Sequence, residues 1–225
     1  MRKKDDDTAI VIGGLALLLM SGGKRPPGAA APNHPPLSSI PWGVGWGWPV
    51  PRATFTDGTS YAPVVSNPFA SGPHYGVDVM YQRTSTADKL ATFPPGTSNG
   101  SRNYFAPPGT PILAAKDARV WSVIRSSRGW GVVLDHGKPF ATFYQHLDAV
   151  AFPVHAMGYK LGTKTITTVK AGETLGTMGG DPSQGSQALR HLHFAVWYQG
   201  HGDAASVDPA AVMAGWVQPP QWRVP

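Results

Sequence analysis

Three short segments hold the side chains of this chain that could act together chemically. In HYGVDV, His74 and Asp78 are four residues apart, a spacing that puts both on one side of a strand or of a helix, and Gly76 and Val77 favour the extended form. In HLHFAVW, His191 and His193 alternate with Leu192 and Phe194, so both imidazoles face one way and the apolar pair faces the core. In ATFYQHL, His146 ends a third alternating run, where its ring could reach over the same face. Neutral imidazole and carboxylate are good zinc ligands, and three protein ligands leave a fourth position open for water, as hydrolytic zinc requires. His74, Asp78 and one of His191 and His193 would supply that set. The other histidine and His146 would stand beside the metal as base, acid or oxyanion donor. Singly, such pairs are commonly structural; their joint occurrence on matching faces points to a metal site. His136 reads as part of a hairpin turn, and His34, His155 and His201 fall in loops with no partner in the sequence.

Composition narrows the chemistry from the other side. The 225 residues include no cysteine, which excludes disulfide frameworks, thiolate zinc sites, iron-sulfur ligation and a cysteine nucleophile. Glu173 is the sole glutamate among 13 acidic residues, and no histidine stands at helical spacing from it. That excludes an HExxH protease and a paired-glutamate glycosidase. The net charge of +6 suits an anionic polymer or, equally, serves solubility alone. Without a basic stripe interleaved with aromatic residues, nucleic acid is not expected to be that polymer.

The elements that must position these histidines are short strands. With 27 glycines and 23 prolines among plentiful β-branched and aromatic residues, the chain favours a mainly β fold over a helical bundle. Strands are expected at 111–115, 119–125, 131–135, 140–147, 174–178 and 191–198, and a short capped helix opens at Asp208 and Pro209. Long loops are expected at 79–108 and 148–168. The expectation is a small antiparallel β-sheet domain over 67–213, followed by a C-terminal tail at 214–225.

The N-terminal third reads differently. MRKKDDD precedes an uncharged stretch at 8–23, closed by Lys24 and Arg25. As a helix it would span about 24 Å, short of the hydrocarbon thickness of about 30 Å. The acidic run spoils the positive start of an export signal, and the small-residue cleavage candidate, Ala29 to Ala31, lies beyond Lys24 and Arg25. A retained hydrophobic helix anchoring the chain in a membrane is therefore the expectation, with a cleaved signal as the alternative. Residues 24–66 read as an extended Pro/Gly/Trp-rich spacer. Within it Trp42, Trp46 and Trp48 could form a carbohydrate-stacking patch or, more commonly for such residues, cover a groove on the neighbouring domain.

These segments, in this order, resemble the lysostaphin-type, or LytM-like, zinc metallopeptidases that cut peptidoglycan peptides. The resemblance runs from about Asn67 to Met213. HxxxD stands at His74 to Asp78, GTPILAAKDARVWSV matches the first core strands, and GWGVVLDHG matches a glycine turn and hairpin. FYQHL matches the tyrosine, any residue, histidine, leucine segment, VKAGETLGTMG a lipoyl-like turn, and HLHF the closing strand. The resemblance implies zinc bound by His74, Asp78 and His193, with His146 and His191 as catalytic histidines. The long stretch between Asp78 and the GTP turn, the insertion at 149–168 and Ala188, Leu189 and Arg190 before HLH depart from the family pattern, at places that would shape substrate subsites.

The function expected is that of a zinc metalloendopeptidase hydrolysing peptide bonds in bacterial peptidoglycan. It would be membrane-anchored and face the cell wall, in a bacterial envelope or as a lysin in the virion of a membrane-containing phage. The rival class is a catalytically silent peptidoglycan-binding or scaffold protein of the same fold. The bond cut, the oligomeric state and the choice of base between His146 and His191 are not encoded in these patterns.

Overall fold

The computed structural model describes residues 37–69, 74–83, 98–99, 104–151, 168–180, 189–218 and 220–225. Runs alternating between apolar and polar residues become strands. The first six are β1 (Arg52–Thr54), β2 (Ser60–Tyr61), β3 (Pro63–Asn67), β4 (Val77–Gln82), β5 (Ser98–Asn99) and β6 (Tyr104–Phe105). Then come β7 (Pro111–Leu113), β8 (Ala118–Ser126), β9 (Gly129–Asp135), β10 (Phe140–Val150), β11 (Thr168–Val169) and β12 (Thr174–Met178). The last are β13 (Leu192–Tyr198), β14 (Ser206–Val207), the short helix α1 (Ala210–Met213) and β15 (Gln221–Arg223). Asp208 Oδ1 accepts a hydrogen bond from the Ala210 amide at 2.8 Å, which is the capping expected at the start of that helix.

The main sheet runs β11-β8-β9-β10-β13-β4-β6-β5, with β3 beside β4, β14 beside β13, and β12 bridging β10 to β7. Its pairings are antiparallel. Strand alternation then sorts the side chains. Val79, Tyr81, Val132, Leu134, Tyr144, Phe194 and Val196 enter the principal core, while Val133, Ala141, Phe143, Ala195 and Trp197 form a second apolar cluster. His193 stands two and four residues before Ala195 and Trp197 on β13, so the metal-ligand candidate continues the face of the second cluster.

The structure corrects four expectations of layout. Residues 40–66 are not an extended spacer: Ile40, Trp46, Val50, Ala53 and Tyr61 are buried in the principal core. Trp46 stacks on Trp216 at 5.2 Å and meets Phe140 edge-on at 5.4 Å, so burial of large aromatic surface overrides the Pro/Gly composition. Nor is 214–225 a free tail, because Trp216 is buried and β15 pairs in parallel with β1 in a second, three-stranded sheet. The stretch after Asp78 does not start as a loop: β4 continues to Gln82 with Val79, Met80 and Tyr81 in the core, and β6 returns to pair with it. Finally, β10 extends to Val150 rather than ending at Leu147. The expected N-terminal hydrophobic helix at 8–23 lies outside the described residues, and among the described residues no helix is long and apolar enough to cross a membrane.

Candidate metal centre

One row across four strands builds the site. Asn67 on β3 stands opposite Asp78 on β4, Asp78 opposite His193 on β13, and His193 opposite Gln145 on β10. His74 precedes β4, and its ring returns over Asp78. His74 Nε2 lies 2.9 Å from Asp78 Oδ1, and His193 Nδ1 lies 3.1 Å from His74 Nε2 and 3.2 Å from Asp78 Oδ1. These are the three residues among the described ones whose donor atoms converge closely enough to hold a metal ion.

The donor chemistry fits such an ion. His74 Nδ1 lies 3.0 Å from the Pro68 carbonyl, which can only accept, so Nδ1 carries the proton. In the neutral ring Nε2 is then a lone pair aimed at the Asp78 carboxylate, and two acceptors 2.9 Å apart need a proton or a cation between them. Three donors held tetrahedrally on zinc at about 2.0–2.2 Å stand about 3.3–3.6 Å from one another, slightly wider than the separations here. Burial opposes ionisation of Asp78, yet its contacts with His193 and His74 and the proximity of His191 hold the carboxyl well below the usual range. Burial likewise works to lower the His74 imidazole, and Asp78 outweighs it, so the ring is raised.

Two more histidines complete the cluster. The His191 ring lies 4.6 Å from the His146 ring, and the His146 ring 6.1 Å from that of His193. His191 Nδ1 is 2.7 Å from the Leu189 carbonyl, and His146 Nδ1 is 3.0 Å from the Arg128 carbonyl. Both therefore carry the proton on Nδ1 when neutral, with Nε2 as the basic position. His191 Nε2 reaches to 4.0 Å from Asp78 Oδ1.

His146 arrives there by an irregularity. Regular alternation from Phe143 and Gln145 would turn His146 away from the face of His193. Instead the register against β9 shifts between Tyr144 and Leu147, and His146 takes φ 69°, a left-handed conformation uncommon outside glycine. Such backbone outliers cost about 1–3 kcal/mol and cluster at functional sites.

All five residues singled out from the sequence, His74, Asp78, His146, His191 and His193, thus come together. His136 does not join them: its Nδ1 lies 3.0 Å from the Asp117 carbonyl and its Nε2 2.8 Å from Thr142 Oγ1, a structural arrangement under Trp46. His201 stacks on Trp121 at 4.5 Å, and His34 and His155 lie outside the described residues. Asn67 and Gly76 escaped the sequence reading as site residues. Asn67 is tied to Asp78 only through the pairing of β3 with β4, which no spacing in the sequence announces.

Comparison with known proteins bears on the same segments. The model of Peptidase family M23 matches residues 98–209, which include His146, His191 and His193 and begin downstream of His74 and Asp78. The chain is 30% identical over 137 residues to the uncharacterized lipoprotein YgeR of Escherichia coli (strain K12), a match covering 59% of this chain and 45% of that protein. It therefore spans less than half the length of that curated relative. Among solved structures it is similar to Helicobacter pylori Csd3, with 25% identity, TM-score 0.43, and coverage of 78% of this chain and 34% of that one. It is also similar to the catalytic domain of lysostaphin from Staphylococcus simulans, with 20% identity, TM-score 0.42, and coverage of 68% and 92%. With the family match covering three of the five clustered residues, the chain belongs to peptidase family M23.

Proposed function

We propose that this chain is a zinc-dependent endopeptidase hydrolysing peptide bonds in bacterial peptidoglycan. The observation that carries the reading is the convergence of His74 Nε2, Asp78 Oδ1 and His193 Nδ1 beside two further histidines that are not needed as ligands. Membership in the family supports it, and the intact five-residue set speaks against a catalytically silent scaffold.

A zinc ion held by His74, Asp78 and His193 would supply Lewis acidity, polarising the scissile carbonyl and acidifying the attacking water. The protein does the rest. His146 and His191 each hold Nδ1–H against a backbone carbonyl, so each neutral ring offers Nε2 as an acceptor for the proton released by water. A ring that has taken up that proton becomes a donor at Nε2, able to stabilise an oxyanion or to pass the proton to the leaving amine. The pair can thus divide base and donor roles over the cycle.

We further propose that the enzyme works in the envelope and that residues 8–23 hold it in a membrane. The relative named above is a lipoprotein, which agrees with an envelope setting.

The test joins metal content to digestion of purified peptidoglycan. The wild-type chain should carry about one zinc ion after mild dialysis and release new amino termini from the wall. Asp78→Ala and His193→Ala should lose both metal and activity. His146→Ala and His191→Ala should keep zinc while activity drops about 100- to 10,000-fold. Normal zinc in both ligand variants would overturn the assignment, and loss of metal in His191→Ala with retention in His193→Ala would invert that pair.

A further inference from the structure

The segment Ser66–Asn67–Pro68 touches two of the three ligand candidates through three consecutive residues. Ser66 Oγ donates to the Asp78 backbone carbonyl at 3.2 Å, Asn67 Nδ2 lies 3.0 Å from Asp78 Oδ2, and the Pro68 carbonyl accepts from His74 Nδ1 at 3.0 Å. The carboxylate oxygen can only accept, so the Asn67 amide nitrogen must be the group facing it. The contact depends on an irregularity: the register between β3 and β4 shifts between Val65 and Asn67, which sets Asn67 opposite Asp78.

We propose that Ser66–Pro68 is a ligand-orienting clamp and that Asn67 is the positioning residue for Asp78. The inference rests on the metalloenzyme reading above. Asp78 has two oxygens with different duties. Oδ2 is occupied by Asn67, which fixes the carboxylate plane and leaves Oδ1 as the oxygen presented to His74 and His193. Pro68 does the equivalent for His74, because a proton pinned on Nδ1 commits Nε2 to the metal side. Without Asn67 the carboxylate would be free to rotate and to offer both oxygens, so the site would have to be ordered at the moment of binding. Asn67 itself is exposed, so removing its amide leaves no cavity in the core.

The experiment measures the zinc dissociation constant of the full chain by competition with a fluorescent chelator, together with the visible spectrum of the cobalt-loaded protein. The variants are Asn67→Ala, Asn67→Gln and Asp78→Ala. Asn67→Ala should bind zinc about 10- to 100-fold more weakly at an unchanged fold, with an altered cobalt spectrum, since orienting partners of metal ligands typically contribute that much. Asn67→Gln keeps a donor amide and should recover part of the affinity, and excess zinc should restore activity in both. Wild-type affinity and spectrum in Asn67→Ala, with affinity abolished in Asp78→Ala, would overturn the clamp and leave the metal site standing. Wild-type affinity in Asp78→Ala would overturn the metal site itself. If both Asn67 variants unfolded, Asn67 would be a structural residue and the inference would fail.

Discussion

Gly76 lies between two ligand candidates, and its contribution is the missing Cβ. A methyl group there would stand 2.6 Å from the Phe194 carbonyl oxygen and 2.8 Å from His193 Nε2. The carbonyl belongs to the backbone of β13 and cannot swing aside, so the His193 ring would have to move. Gly76→Ala should therefore weaken zinc binding by at least about tenfold and lower stability by about 1–3 kcal/mol, as overpacking does. Chelator competition and thermal unfolding check both, and wild-type values would show that the ring has room the geometry denies. The same scale explains Asp78. Its carboxyl is mostly buried, which disfavours the anion, yet its histidine neighbours hold it ionised. A carboxylate already charged in place has no deprotonation step to complete before it can ligate.

At the scale of elements, irregular strands place the candidate site, and an aromatic cover protects the turn at the opposite end of β10. The bulge in β10 swings His146 over the face of His193, and the one in β3 aims Asn67 at Asp78. The turn between β9 and β10 holds His136 under Trp46, their rings 5.1 Å apart. Burial pushes the His136 imidazole down from its ordinary value of 6.5 to about 4, assisted by the charge of Lys116 and opposed by the Asp117 carbonyl and the carboxylates of Asp135 and Asp117. The folded state therefore holds His136 neutral over a range in which the unfolded chain takes up a proton. The stability this confers is complete above about pH 6.5 and is lost as pH falls towards 4, a drop of up to about 3 kcal/mol. Below that both states are protonated and the slope from this residue ends. Denaturant unfolding at a series of pH values should show the decline, and His136→Asn should flatten it. An unchanged slope in the variant would place the acid sensitivity elsewhere.

For the whole molecule, the incorporation of residues 40–66 into the domain changes what lies between an anchor and the catalytic centre. The chain joins the core from Ile40 onward, so only residues 24–39 remain between the apolar stretch at 8–23 and the folded body. Even a fully extended stretch of that length, at roughly 3.1 Å per residue, could reach about 50 Å at most. An enzyme tethered by that length would act on wall close to the membrane. Mass spectrometry of the mature protein from its native source should find residues 8–23 present, and membrane flotation should carry the chain with the lipid. A mature chain beginning near Pro32 would instead mean a cleaved signal and a secreted enzyme.

Part of the candidate cluster was legible in one dimension because period-two alternation survives folding. His193 lies on β13 and His191 immediately before it, and Leu192 between them, buried in the principal core, dictates which way they face. The strands at 111–113, 118–126, 129–135, 140–150 and 174–178 were readable for the same reason, to within a few residues at their ends. Three things depended on contacts between distant segments. The Pro/Gly/Trp stretch has the composition of a linker, and distant partners, Phe140 and Trp216 for Trp46 and Phe105 for Tyr61, make it part of the core. His146 has the wrong parity for the site, and only a register shift against β9 corrects it. Asn67 acquires its place because β3 pairs with β4 out of step by one residue. Alternation is a property of one strand and is written in its residues; register, bulges and the burial of a linker are properties of pairs of segments, and they exist only once both partners are in place.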